Sequence, residues 1–294
     1  MVVTKNEVFP GMEPRSKLVP LCAFTVDVED WYQSSVDFDA PISERVLHNM
    51  ERVLAMLDEV KVKGTFFVQG LVAKRFPILL QELVREGHEI QSHGHTHRPL
   101  FKMDRRALRS ELESAKKSVE DACGARVTAF RAPDFSILEE NLWALEILAE
   151  AGFEVDSSVF PKKMKRYGIG GWNCFPERLM LANGKSILEA PVAMLQIGGM
   201  RIPVAGGGYF RLMPKRIIHE AVKALTDQRK TVILYCHPYE FNPDELQTFR
   251  GKVSSRLIFT QGLGRRFFRE RMQHLLKSFP FGRFDEVLAN NVIP

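Results

Sequence analysis

Up to residue 156 the chain alternates short β-branched or aromatic runs with stretches of helical period, and several of those runs end in a reactive side chain. Runs at 21–28, 64–68, 88–92, 127–131 and 153–156 read as strands. Between the first two, 43–60 puts Val46, Met50, Val53, Leu54 and Leu57 on one helical face, with Ser43 as the N-cap candidate. The stretch 71–85 reads as a second helix stopped by Gly87, and 104–121 as a third opened by Asp104. A further helix is expected at 138–150, closed by Gly152. Repeated βα units with short loops predict a parallel sheet or barrel, whose chemistry collects at the C-terminal ends of the strands. The acids after Val26, the histidines after Ser92, Arg131 and Asp156 all fall at such ends.

The rhythm changes after residue 160. Segments 187–196 and 201–204, joined at Gly198-Gly199, predict a β-hairpin. The loop 205–210 carries Gly206, Gly207 and Gly208, which permit close backbone approach or positive φ. No Gly-Lys-Ser/Thr follows, so a structural or substrate-lining loop is expected there rather than a nucleotide site. A helix at 214–226, an apolar strand at 231–236 ending in His237-Pro238, and a final helix at 265–277 complete the expected order.

With 294 residues, 45% of them hydrophobic, the chain can bury one large core without dividing. The formal net charge is +5, with basic clusters at 162–166, 211–216 and 265–269. Such clusters are usually solvated; they could also face an anionic polymer or lipid headgroup, and no nucleic-acid motif accompanies them. Four scattered cysteines without a CxxC pair read as reduced thiols. The first 20 residues lack the apolar run of about 7–15 residues that a signal peptide needs. A soluble cytoplasmic protein is therefore expected, with contact at a membrane surface left open.

The densest chemistry lies at 88–97, where His88, His93, His95 and His97 are four of the chain's eight histidines. Neutral imidazole is a common ligand for borderline metals, and a catalytic site of this kind also wants a carboxylate and an open position for water. Asp27, Glu29 and Asp30 close the first strand, and three carboxylates crowded together repel one another. A cation would relieve that repulsion.

Taken in order, FTVDVEDW, HEIQSHGHTH, FRAPDFS, VDSSVFP and ILYCHPYEF resemble the five motifs of the polysaccharide deacetylase (NodB-like) superfamily. GTFFV and GGGYFR extend the resemblance over about residues 20–285, towards the branch found with bacterial exopolysaccharide and exosortase loci. It implies an α/β fold, a distorted (β/α)7-8 barrel with a C-terminal β-hairpin and helical extension. The domain would span 19–285 behind a tail at 1–18, with the extension covering about 158–285. It also implies a divalent metal, zinc first, and hydrolysis of N-acetyl groups on an N-acetylhexosamine-containing glycan or glycolipid precursor.

Carried over by position, Asp27 matches the catalytic base and His93 and His97 the two metal histidines. His95 falls at a variable position and is excluded. Arg131 matches the arginine that pairs with the base, His237 the general-acid histidine, and Asp156 the acid that orients it. The departure is in the first motif, where Val28 follows Asp27 in place of a second aspartate. The metal carboxylate is then Glu29 or Asp30. Strand alternation points Glu29 to the same side as Asp27, and Glu29 is preferred.

An acetamide needs its carbonyl polarised, water activated by a base and the leaving amine protonated by an acid. An oxyanion donor is expected from the backbone around Asp134 or Phe135. Trp31, Tyr32, Tyr209 and Phe210 are placed beside the site, where they could stack on sugar faces or pack the rim. The competing readings are a cyclic-amide hydrolase of the allantoinase-like branch and a carbohydrate-binding protein without turnover.

Overall fold

The computed structural model describes residues 20–291; the tail expected at 1–18 lies outside them. The first strands are β1 (Cys22–Val28), β2 (Thr65–Val68), β3 (Glu89–Ser92), β4 (Ala129–Phe130) and β5 (Val155–Asp156). They are followed by β6 (Glu177–Met180), β7 (Ser186–Glu189), β8 (Met194–Ile197), β9 (Met200–Pro203), β10 (Val232–Cys236) and β11 (Phe281–Gly282). The main sheet runs β10-β1-β2-β3-β4-β5-β7-β6, with β11 also on β1. Every neighbouring pair is parallel except β6 with β7.

β1 is buried at all seven positions, as a parallel strand covered on both faces must be. The two ends of the sheet approach through the segment around the β8–β9 hairpin. The Ala193 amide donates to the Ile233 carbonyl at 2.9 Å, and the Tyr235 amide donates to Ala205 at 3.0 Å. The result is the expected distorted α/β barrel.

The helices of the first half are α1 (Trp31–Ser35), α2 (Arg45–Val60), α3 (Gly70–Arg75), α4 (Pro77–Arg85), α5 (Arg105–Cys123) and α6 (Ala144–Glu150). Those of the second are α7 (Gly207–Leu212), α8 (Lys215–Asp227), α9 (Ser255–Gly262), α10 (Phe268–Ser278) and α11 (Phe284–Asn291). Val46, Met50, Val53 and Leu57 line the buried face of α2, and Asp104 caps α5 through the Ala107 amide at 2.7 Å.

Local chemistry redraws several expected boundaries. The helix expected at 71–85 is two helices, because Pro77 lacks an amide proton and opens a new one at its first turn. Ser43 does not cap α2. Glu44 holds the cap position without a side-chain bond, and the Ser43 hydroxyl and amide go to Asp30 instead. The expected helix at 138–150 begins as a 3₁₀ turn, since the Asn141 side chain bonds both the Leu138 amide and the Ser136 carbonyl. The hairpin is only β8–β9; residues 186–189 enter the main sheet as β7. The glycine loop contains a short helix, α7. A Cβ at Gly206 would overlap the Tyr235 carbonyl, and Gly207 sits at φ +61 against the Tyr235 ring. β11 and α11 were not anticipated.

Candidate active site

The C-terminal strand ends open into one cleft of about 650 Å³ that contains Asp27, Glu29, His93, His97 and His237. Glu29, just past the end of β1, presents its Oε2 to two histidines. His93 Nε2 lies 3.3 Å away and His97 Nε2 in direct contact. These three ligand atoms fall within 4.8 Å of one another, and all three residues are buried.

The histidine loop is built to hold that posture. The carboxylate of Glu111 on α5 accepts from the amides of His95 (2.8 Å) and Thr96 (2.6 Å) and from the Thr96 hydroxyl. His97 itself adopts φ +64, an uncommon conformation for a residue other than glycine. The ring of His95 turns away, with Nε2 3.5 Å from Lys74 Nζ.

The donor set fits a divalent metal. The Arg131 carbonyl can only accept, so the 2.8 Å contact to His93 Nδ1 puts the proton there and leaves a lone pair on Nε2. That lone pair faces a carboxylate oxygen, an arrangement a cation resolves. Glu29 Oε2 is also a buried atom without a hydrogen-bond partner. Its other oxygen is fixed by hydroxyl donors, Tyr239 at 2.9 Å and Ser34 at 3.1 Å. Burial alone would raise the Glu29 pKa, yet the His97 charge and the close approach of both imidazoles bring it well below the usual carboxylate range. Asp30, the other candidate ligand, points elsewhere. It caps α1 through the amides of Tyr32 and Gln33 and binds Ser43.

Asp27 sits beside this trio. Arg131 Nη1 donates to its Oδ1 at 2.7 Å and to Thr25 Oγ1 at 2.8 Å, and Nη2 donates to Ser157 at 3.1 Å. The guanidinium is fully buried and lies 4.2 Å over the Phe67 ring centre.

His237 stands across the cleft at the end of β10, its ring stacked on Tyr239 at 4.9 Å. Its partner is Glu240, not Asp156. Glu240 Oε2 accepts hydrogen bonds from His237 Nδ1 at 3.2 Å and from the His237 amide at 3.1 Å. Burial would lower the His237 pKa, but the bond to Glu240 and the charges of Glu29, Glu240 and Asp27 raise it to about 9. Arg211 Nε approaches Glu240 Oε1 at 3.2 Å, and Arg265 Nη1 donates to the Tyr239 carbonyl at 2.8 Å. Two of the basic clusters thus send an arginine inward to brace the histidine.

Asp156 is occupied behind Arg131. It accepts from the Ser158 hydroxyl and amide, and its partner across the strands is Glu189. Burial raises both carboxyls, Glu189 well above the usual range with the Asp156 charge adding to it. Sequence reasoning missed Glu240, Arg211, Tyr239 and Glu111. His-Pro-x-Glu was a usable signal, since proline at the first position and an acid at the third of a turn make a capping box.

Among the aromatics, only Tyr209 of the four expected lines the cleft. Trp31 and Tyr32 pack on Phe249 at 5.0 and 5.1 Å, and Phe210 packs on Phe268. Phe38, Phe101, Phe135 and Tyr167 line it instead. Asp134 and Phe135 also border the cleft, both with positive φ; the Phe135 amide is donated to Ala132 at 3.2 Å.

The comparisons divide the chain where the sequence rhythm changes. Residues 37–155 match the family model described as polysaccharide deacetylase, and residues 157–289 match a domain of unknown function (DUF3473). A polysaccharide deacetylase domain followed by DUF3473 is the pairing of the exopolysaccharide-associated branch, and the chain resembles that branch in carrying both matches. It is 36% identical over 122 residues to a chitooligosaccharide deacetylase of Sinorhizobium fredii, covering 40% of this chain and 54% of that protein. A peptidoglycan-N-acetylglucosamine deacetylase of Bacillus cereus is 31% identical over 96 residues, 32% of this chain and 35% of that one. The chain thus spans about half the length, or less, of these curated relatives.

Two solved structures share the fold. One, provisionally assigned as a polysaccharide deacetylase of Mycobacterium smegmatis, superposes with TM-score 0.61 at 21% identity, covering 97% of this chain and 95% of the other. Puue allantoinase superposes with TM-score 0.62 at 14% identity, covering 99% and 100%.

Proposed function

We propose that the chain hydrolyses N-acetyl groups on an N-acetylhexosamine-containing polysaccharide, oligosaccharide or glycolipid precursor. The observation that carries this reading is one cleft holding a buried Glu29–His93–His97 ligand set, an arginine-paired Asp27 and a carboxylate-paired His237. The matched relatives named as deacetylases of chitooligosaccharide and peptidoglycan support the substrate class.

Glu29, His93 and His97 would hold a divalent metal, zinc first because two imidazoles and a carboxylate suit that ion. When bound, the ion supplies Lewis-acid polarisation to the amide carbonyl and to water. Arg131 holds the Asp27 carboxylate in place through the Nη1–Oδ1 bond, so Asp27 accepts the proton of the attacking water. His237, charged at neutral pH, donates its Nε2 proton to the departing amine as the C–N bond breaks. Acetate and a free amine result. Glu240 holds the imidazolium and fixes Nδ1 as the inward nitrogen, which leaves Nε2 for the substrate.

Incubating the zinc-loaded protein with N-acetylated oligosaccharides and a lipid-linked precursor, with allantoin in parallel, tests the reading. Acetate and free amine are expected in equal amounts from the sugars. Turnover of allantoin alone would replace this proposal with ring-amide hydrolysis.

A further inference from the structure

The cleft mouth carries a surface that the chemistry above does not use. The helix α9 sits on the cleft edge: Leu257 and Gln261 line the cavity, and Leu257 and Ile258 pack against the Trp31–Tyr239–Leu246–Phe249 cluster. No residue of α9 is fully buried. Its outward face bears Phe259, 67% exposed, with Leu263 one turn on. Gly264 then packs on the Arg211 backbone, which brings Leu212, 62% exposed, to the same seam. Phe267 follows, also exposed, under the guanidinium of Arg266 at 4.4 Å.

Charge sets this surface apart from scattered exposed apolar residues, which are ordinary. Residues 246–269 include no aspartate or glutamate, and neither do residues 190–219. These are the two segments that meet at Gly264 and Arg211. Arg216, Lys252, Arg256 and Arg266 are exposed, and none forms an ion pair among the described residues. Exposed phenylalanine and leucine on two segments that carry unpaired cations and no acid complement an interface of acyl chains under anionic headgroups. Among the described residues no helix is long and apolar enough to cross a membrane.

We propose that the α9 face, with Leu212, Leu263 and Phe267, docks on an anionic lipid surface and sets the cleft mouth against it. Resting on the deacetylase reading, this narrows the substrate to a glycan held at that membrane.

The test is co-sedimentation of the full chain with vesicles of phosphatidylcholine, alone or mixed with phosphatidylglycerol. Binding to the anionic vesicles, weakened by salt, is expected. Arg256→Glu with Arg266→Glu should weaken partition about thirtyfold or more, since each basic residue near the surface contributes about fivefold. Phe259→Ser with Leu263→Ser should weaken it as well. Thermal melts like that of the parent certify that both variants fold, and acetate release from a soluble oligosaccharide should be unchanged. Equal binding to both vesicle types, or parent-like binding by either variant, overturns the proposal. So does a concentration-dependent dimer in sedimentation velocity that the Phe259/Leu263 variant disperses, which would make the face a self-association surface. Failure of the deacetylase reading would look different: vesicle binding intact and no acetate from any form.

Discussion

The two walls of the cleft are built by different means. The Glu29–His93–His97 wall comes from the ends of two nearby strands, with its loop pinned by one carboxylate, Glu111. The His237 wall is braced from afar: Glu240 leans on Arg211, and Arg265 holds the backbone of Tyr239. Both arginines belong to the half of the chain that matches DUF3473. Local motifs specify the first wall, whereas the second needs a whole domain to neutralise and position its charges. The walls meet at Tyr239, which stacks on His237 and donates to Glu29.

The largest expected effect separates ligands from the base. His93→Ala combined with His97→Ala should abolish both metal content and acetate release, because two imidazoles provide most of such a site's affinity. Asp27→Asn should lose about 10²–10⁴-fold in kcat and keep its metal. Metal analysis of the two proteins, purified side by side, checks this. An Asp27→Asn protein without metal would move Asp27 into the ligand set.

A smaller effect tests which carboxylate serves His237. Removing Glu240 removes a bond and a charge that raise the histidine, so Glu240→Gln should lower its pKa. With His237 raised to about 9, activity should fall as pH rises through that range and the acid loses its proton. The alkaline limb of kcat/KM should therefore move to lower pH in Glu240→Gln, with about a 10–100-fold loss at neutral pH. Asp156→Asn should leave that limb in place, and a shift equal to that of Glu240→Gln would return Asp156 to the histidine.

The smallest contrast lies within the first motif. Glu29→Gln should weaken zinc binding severely in titration of the metal-free protein. Asp30→Asn should retain affinity and cost about 1 kcal/mol in denaturant unfolding, the scale of a lost helix cap. The reverse ranking would exchange their roles.

Much of this was legible in the sequence. Alternation of strands and helices predicted a parallel sheet or barrel, the family resemblance carried His93 and His97 over as ligands, and period-two alternation favoured Glu29, which the structure places beside them. What stayed hidden was long-range or depended on a local competitor. Motif position assigned Asp156 to His237, but Ser158 and Glu189 occupy Asp156, and a glutamate three residues past the histidine does the pairing. Composition read the basic clusters as solvated, and it could not see that Arg211 and Arg265 face inward. Pro77 and Asn141 broke helices that periodicity had drawn as continuous.

The pairing of β1 with β10 has a consequence in time. Cys22 lies beside Val232 and Val26 beside Cys236, so the strand leading to Asp27 and Glu29 waits for a neighbour more than 200 residues downstream. Closing so long a loop costs entropy before any contact repays it, and such topologies fold slowly. During synthesis from the N-terminus, the histidine loop and Glu29 are made while β1 still lacks one flank. The candidate site is completed only when the late strand inserts and brings His237 opposite Glu29, after nearly all of the barrel has been made.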